Sequence, residues 1–273
     1  MKIHIKLIKR CYSFIIFNLE GDQMIKKILI LSSSLLFIAC GDGSSSNNSS
    51  NGSGDSKENT TLPTEVTTAL SSEKSTLSQP LKDALTYMYS EEGLAHDVYL
   101  NINKIQPLQQ FENIAKKSEV KHMEAVNQLA IKYDLNITRY PDTDKPYSTD
   151  DLKRYGDGKY PVEPVQELYN ILYDKGITSK QNALEVGCMV EVVDVDDLLK
   201  YLGFAKASNA SDVEEVFTFL VNGSYNHYWA FDKGLKDMGV SEGCCVVSDY
   251  AEHNFCHPEY PNEDDHGKKK GKK

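Results

Sequence analysis

The chain has 273 residues, of which 40% are hydrophobic and 26% are charged, and its formal net charge is −10 at pH 7. This charge argues against a nucleic-acid partner, because neutralising phosphates requires a basic surface. The lysine-rich end, residues 268–273, is too short to reverse the balance and is predicted to be a solvated tail.

The N-terminal region has the organisation of an export signal. From Met24, two lysines precede an apolar stretch that ends in small residues at Cys40. This order is typical of a secretory signal, and the apolar run is too short for an ordinary membrane-spanning helix. Residues 37–40 resemble a lipobox, so we predict lipid attachment at Cys40 and translation from Met24. The alternative is a non-lipidated signal peptide or a single membrane anchor.

This signal also predicts a location and a division of the chain. We expect an exported protein that is lipid-anchored to the cell envelope, and Gly41 after Cys40 favours the outer membrane in a cell with two membranes. After the signal region, residues 1–40, residues 41–77 are rich in Ser, Asn, Gly and Thr, which predicts a flexible tether. Residues 78–240 are predicted to form the folded domain, and residues 241–273 a Cys- and His-containing extension with the lysine-rich tail.

Apolar residues recur at helical spacing in four long segments of the predicted domain. These stripes begin at Leu81, Ala115, Leu184 and Val213. A shorter helix is predicted from Val162 to Asp174, between the second and third segments, and Ser179 is a candidate N-cap of the third. The pattern predicts an all-α fold, a four-helix bundle with a long crossover that contains an extra short helix.

Each stripe is interrupted by residues that an apolar core would not contain. The interruptions are Glu92 on the first helix, Glu119 and His122 on the second, Glu191 and Asp194 on the third, and Ser224 and His227 on the fourth. Buried carboxylates are heavily penalised unless a cation compensates them. Four carboxylates match the charge of two divalent cations, and imidazole nitrogens would complete a site that suits iron or manganese and could accept zinc. We therefore predict two iron or manganese ions, bound by Glu92, Glu119, His122, Glu191, Asp194 and His227.

The same residues also have structural interpretations. His227 could be a hydrogen-bonded core histidine, and a slightly rotated stripe would turn Glu91 inward in place of Glu92. Glu191 and Asp194 could lie on a solvated face. Three further residues, Tyr99, Ser224 and Tyr225, are predicted to lie beside the ligands.

Five motifs follow one another along the chain. They are EEGLAHDVY from Glu91, FENIA from Phe111, SEVKHM from Ser118, ALEVGCMVEVVDVDDL from Ala183 and GSYNHYWAF from Gly223. Together they resemble the ferritin-like "domain of unknown function 2202" family over about residues 80–240. The resemblance implies a ferritin-like fold but no established activity. Two departures stand out: His96 replaces the usual Arg, and the segment FENIAKKSE is one residue longer than the family pattern.

A more distant resemblance is to rubrerythrin-type di-iron proteins. Their first-helix pattern E-x-x-A-R-x-x-Y is similar to residues 92–99, and their third-helix E-x-x-E resembles Glu191-x-x-Asp194. Their fourth helix carries E-x-x-H, where this chain has Ser224 in place of the Glu. By this resemblance the metals could reduce peroxide or oxidise ferrous iron, although no catalytic residue is assigned.

Two functions from different classes therefore remain open. The first is an envelope di-metal oxidoreductase of the peroxidase or ferroxidase type. The second is a non-enzymatic structural or binding bundle, with a hydrogen-bonded polar core or a single structural metal. A homo-oligomer is compatible with both, and the sequence names no protein partner.

Export would place four cysteines in a disulfide-permissive compartment: Cys188, Cys244, Cys245 and Cys256. Four cysteines allow three pairings. Pairing of the adjacent Cys244 and Cys245 is disfavoured, so we expect one of them to join Cys256 and the other Cys188. The histidines near these cysteines could form a second metal site, but a disulfide-pinned extension is the favoured interpretation.

Overall fold

A computed structural model describes residues 60–139, 146–248 and 253–262. The predicted signal region, with the predicted lipidation site Cys40, and the lysine-rich tail lie outside the described residues. The helices are α1 Thr64–Leu70, α2 Gln79–Ile105, α3 Gln109–Ile114, α4 Val120–Lys132, α5 Thr149–Leu152, α6 Glu163–Gly176, α7 Lys180–Ala207 and α8 Ser211–Asp237. A π-helical segment, Ala115–Glu119, joins α3 to α4, and a 3-10 helix, Gly243–Val246, follows α8. None of the helices in the described ranges is both long and apolar enough to cross a membrane.

Four long helical segments form the bundle, and this confirms the predicted all-α architecture. They are α2, the continuous unit of α3, the π-helical segment and α4, then α7 and α8. The crossover between α4 and α7 contains a small antiparallel hairpin, in which strand β1 Ile137–Arg139 pairs with β2 Pro146–Ser148. The helix predicted in the crossover is α6, which packs against both α2 and α7.

Local sequence sets the helix ends. The Ser179 side chain accepts a hydrogen bond from the Asn182 N–H at 3.0 Å, so the predicted N-cap of α7 is confirmed. Gly239, just beyond α8, has a φ of 91°, a left-handed conformation that glycine adopts without strain. There the Val240 N–H bonds to the Leu235 carbonyl at 3.0 Å, which ends the helix as in a Schellman motif.

The tether begins to fold earlier than predicted. Residues 41–77 were expected to be flexible throughout, but α1 packs against α8 and α4, with Val66 fully buried and Leu62 and Leu77 buried beside it. The Ser75 N–H also donates to the Tyr133 hydroxyl at 3.0 Å. The prediction was wrong for this part because composition averages over a whole segment, whereas a few apolar side chains can dock on a preformed bundle surface.

Two disulfides fix the C-terminal extension to the bundle. Cys188 pairs with Cys244, and Cys245 pairs with Cys256, which resolves the choice that the sequence left open. The extension is further held by Tyr228, whose hydroxyl donates to the Phe255 carbonyl and accepts from the backbone of His257. Since these four cysteines are oxidised, they offer no thiolate ligands. Their role is to attach the C-terminal extension covalently to the bundle.

Candidate metal centre

The four long segments bring most of the predicted ligands into one cluster in the middle of the bundle. Two groups of three can each offer ligand atoms that lie within 4.8 Å of one another. The first group is Glu92, Glu119 and His122, and the second is Glu119, Glu191 and His227. Glu119 belongs to both groups. All five side chains are buried, with at most 6% of any residue exposed.

The π-helical segment explains how the longer second-helix motif is accommodated. It covers Ala115–Glu119 and so ends at the residue that the two groups share. A π-turn inserts one residue into an α-helix without breaking it, and such turns are frequent at functional sites. The extra residue of FENIAKKSE is therefore absorbed just before Glu119. Beyond it, α4 is regular, so that Glu119 and His122 at positions i and i+3 face the same centre.

His122 is oriented by its surroundings on α2 and α8. Its Nδ1 lies 3.0 Å from Glu92 Oε2 and 3.1 Å from Glu119 Oε2. On the other side of the ring, a Cβ added at Gly223 would lie only 2.4 Å from Nε2, so the α8 backbone approaches the imidazole closely. The Phe219 ring packs edge-on against it. Sequence analysis did not identify Gly223 as a site residue, although a glycine inside a long helix often marks such an approach.

His227 and Tyr99 flank Glu191 in the second group. The Nδ1 atom of His227 lies 3.1 Å from Glu119 Oε1 and 3.3 Å from Glu191 Oε2. The Tyr99 hydroxyl donates a short hydrogen bond to Glu191 Oε1, and its ring stacks on Phe111. Tyr99 therefore lies beside a predicted ligand, as expected, and holds the orientation of that carboxylate.

The structure places Asp194 and Ser224 beside the cluster, and Tyr225 away from it. Asp194 is buried next to the two groups without being a member of either, and its Oδ2 accepts a short hydrogen bond from Ser224. Tyr225 faces elsewhere, with its ring packed on Tyr260 of the C-terminal extension at a centroid distance of 4.8 Å. The expectation that Tyr225 lies beside a ligand was wrong, because one residue along a helix turns the side chain by roughly 100°.

Glu92, and not Glu91, is the first-helix member of the cluster. Glu92 is 2% exposed and its carboxylate faces His122, whereas Glu91 is only partly buried. Burial raises the pKa of Glu91, and the charge of Asp197 raises it further. Glu91 thus lies at the edge of the cluster, near Asp197 of α7.

The acids of the cluster outweigh its bases. Burial raises the pKa of Glu92 well above its usual range, and the charge of Asp194 adds to this. Burial likewise raises the pKa of Asp194, with Glu191 as the strongest neighbouring charge. For Glu119, the two histidines outweigh burial and lower the pKa. Burial alone would lower the pKa of His227, but the charges of Glu191 and Glu119 raise it to about 10.

Two buried carboxylate oxygens of the cluster, Glu92 Oε1 and Asp194 Oδ1, have no hydrogen-bond partner among the described residues. Glu119 Oε1 and His227 Nδ1 lie 3.1 Å apart but are not aligned as a hydrogen bond. A buried polar atom left without a partner costs about 1–3 kcal/mol. A divalent cation would both coordinate such oxygen and nitrogen atoms and compensate the carboxylate charge. The residues present therefore fit a metal centre of oxygen and nitrogen ligands.

Fold and site together define a helical-bundle protein with a buried carboxylate–histidine cluster. Residues 81–254 match the family described as "Uncharacterized protein domain (DUF2202)", and the chain belongs to this family. It is similar to the uncharacterized protein MJ0754 of Methanocaldococcus jannaschii, with 37% identity over 166 residues, which covers 61% of this chain and 80% of the relative. It also resembles the crystal structure of the hypothetical protein MJ0754 from Methanococcus jannaschii, with a TM-score of 0.53 and 32% identity, over 72% of this chain and 95% of that one. The family predicted from the five motifs is confirmed.

Proposed function

We propose that this protein is an envelope di-metal protein that binds two iron or manganese ions and reacts with peroxide or ferrous iron. The observation that carries the proposal is the double membership of Glu119. A carboxylate shared by two ligand groups on facing helices is how di-iron and di-manganese bundle proteins hold a pair of ions. One ion would be held by Glu92, Glu119 and His122, and the other by Glu119, Glu191 and His227.

The bound ions would supply the one-electron chemistry that ordinary side chains lack. The chain itself provides a dry and oriented set of ligands. The absence of a side chain at Gly223 leaves room for the His122 ring with Nδ1 beside the acids, and Tyr99 holds one oxygen of Glu191. Since the pKa of His227 is raised, metal binding would displace a proton from its ring.

The alternative is a non-enzymatic bundle, and two observations favour it. The histidines already lie 3.0–3.3 Å from carboxylate oxygens, so acids and bases can partly satisfy one another. Ser224 stands where rubrerythrin-type proteins carry a fourth-helix Glu. In this version the cluster would hold a single structural ion or none.

Metal content distinguishes the two proposals. The chain from residue 41 onward, which keeps α1, would be purified without a histidine tag and analysed by mass spectrometry after anaerobic loading with ferrous iron or manganese. We expect about two ions per chain. Glu119→Gln should lose both ions because it removes the shared ligand. The matched control is Glu185→Gln. Glu185 is also buried, but it lies on α7 and pairs with Lys175 at 2.7 Å, so metal content should be unchanged.

Two results would refute the di-metal proposal. Folded wild-type protein that takes up no metal would do so, and so would a single ion that survives Glu119→Gln. The second result would support the structural alternative. If two ions bind, a change in their optical or magnetic spectrum on adding peroxide would separate a redox centre from a silent one.

The proposed envelope location needs a separate test. It rests on residues 24–40, while the two disulfides agree with an oxidising compartment. Cells fed a labelled fatty acid should label the wild-type chain and not Cys40→Ser, and the labelled protein should fractionate with membranes. Equal labelling of both chains would contradict lipidation at Cys40.

A further inference from the structure

On α8, Ser224 places a hydroxyl where a second shared carboxylate would complete the proposed metal site. Glu119, at the end of the π-helical segment, precedes His122 on α4 by three residues, and Ser224 precedes His227 on α8 by the same spacing. Ser224 is 1% exposed, so its side chain is committed to the interior. Its Oγ donates a short hydrogen bond to Asp194 Oδ2 on α7. A serine cannot supply the missing negative charge, but it can hold a carboxylate that does.

One carboxylate oxygen of Asp194 is held by a hydrogen bond, and the other is available to coordinate a cation. It lies one turn beyond Glu191, on the same face of α7, and is 5% exposed. Ser224 occupies Oδ2, whereas Oδ1 is buried with no hydrogen-bond partner in the part of the chain that the structure describes. A buried carboxylate oxygen without a donor is the atom that a cation would coordinate.

Asp194 also lies close to both ligand groups. Asp194 and Glu191 of the second group lie three residues apart on one face of α7. Asp194 and Glu92 of the first group are both buried, close enough for their charges to interact directly. The Asp194 carboxylate therefore lies near a residue of each group, which is where a second carboxylate shared by two ions would be found.

We propose that Asp194, held by Ser224, supplies through Oδ1 the second carboxylate shared by the two ions, in place of a fourth-helix glutamate. This inference rests on the proposed di-metal function. Asp194 is a ligand in this scheme, and Ser224 is a positioning residue that acts through it. With Glu92, Glu119 and Glu191, the site would have four carboxylates to balance two divalent cations.

Manganese titrations of the full chain and its variants test this arrangement. Wild-type protein should bind two manganese ions whose electron paramagnetic resonance spectrum shows magnetic coupling, because shared carboxylates connect them. Ser224→Ala should weaken binding of the second ion by about 10- to 100-fold, the usual effect of removing a group that orients a metal ligand. Ser224→Thr keeps the hydroxyl and should restore both the affinity and the coupled spectrum.

Asp194→Asn guards against a folding defect in the serine variants. It is close to isosteric, and it should give about one tightly bound ion with the spectrum of isolated manganese. Thr218→Ala, which removes another hydroxyl of α8 that donates to the Glu214 carbonyl of the same helix, is the matched control and should behave as wild type. If Ser224→Ala and Asp194→Asn both retain two coupled ions, the inference is overturned while the proposed function stands. If wild-type protein binds no manganese, the proposed function fails first.

Discussion

Among the places where the bundle buries acidic side chains, two differ sharply in their surroundings. In the first turn of α8, Asp212 is 1% exposed and lies 2.6 Å from Lys132 Nζ, and the Tyr133 hydroxyl donates to it at 2.6 Å. Ser75 adds a longer hydrogen bond of 3.3 Å from the segment that follows α1. In the middle of the bundle, four carboxylates share two histidines, and Glu92 Oε1 and Asp194 Oδ1 have no partner among the described residues.

The contrast shows that burial of an acid is not by itself a sign of metal. What matters is whether the protein supplies enough donors and positive charge. Burial pushes the pKa of Asp212 upward, but the bonds from Lys132 and Tyr133 outweigh it and lower the pKa. For Glu92 and Asp194, burial and neighbouring charge act together and raise the pKa. The chain itself supplies the donors and the positive charge that Asp212 needs. The central cluster has too few of both and would need protons or bound cations to balance its carboxylates.

The largest effect is expected from removing the lysine beside Asp212. Lys132→Met would leave Asp212 buried without its cation, which typically costs about 3–5 kcal/mol of unfolding free energy. Denaturant unfolding in the presence of a chelator measures this loss. Lys74→Met, which breaks an exposed ion pair with Asp134, is the control and should cost at most about 1 kcal/mol. Similar losses in both variants would contradict the comparison, as would a loss of metal binding in Lys132→Met.

A smaller effect is expected from a change beside the central cluster that removes no ligand. In Gly223→Ala, the new methyl group would clash with His122 Nε2 and displace the ring from its present position beside Glu92 and Glu119. We expect metal affinity to fall by about 10- to 100-fold, as when orienting groups around ligands are altered. Gly203→Ala on α7 is the matched control, because a methyl group there meets open space. It should leave metal binding unchanged and add up to about 1 kcal/mol of helix stability. Equal affinity in the two variants would mean that Gly223 does not orient His122.

How far the sequence predicts this molecule depends on whether a feature is periodic or pairwise. The four apolar stripes predicted the bundle, and the polar residues interrupting them predicted Glu92, Glu119 and His227 as neighbours, because helical spacing determines which residues share a face. The same reasoning failed for Tyr225, which is near a ligand along the chain but points to Tyr260. Distance along a helix does not give direction.

Features that depend on one contact between distant segments were not predictable. The docking of Val66 depends on a surface made by α4 and α8. The approach of Gly223 to His122 depends on how α8 packs against α4. The donors around Asp212 come from two distant parts of the chain, Ser75 and the pair Lys132 and Tyr133, so its sequence neighbourhood does not distinguish it from a metal ligand. The longer FENIAKKSE motif did signal an irregularity, but only the structure shows a π-helical segment that ends at Glu119.

The smallest effect is a dependence of stability on pH that belongs to Asp212. Its folded-state pKa is lowered below the unfolded value of about 3.9. The ionised carboxylate therefore contributes stability that is fully present above that unfolded pKa and is lost as the pH falls through the folded pKa. The unfolding free energy of wild type minus that of Asp212→Asn, measured with a chelator present, should shrink as the pH falls below about 4. Repeating the pair in a Lys132→Met background should weaken this dependence, since the main donor is gone. A difference that stays constant with pH would mean that Asp212 gains nothing from ionisation, and its environment would then resemble the central cluster.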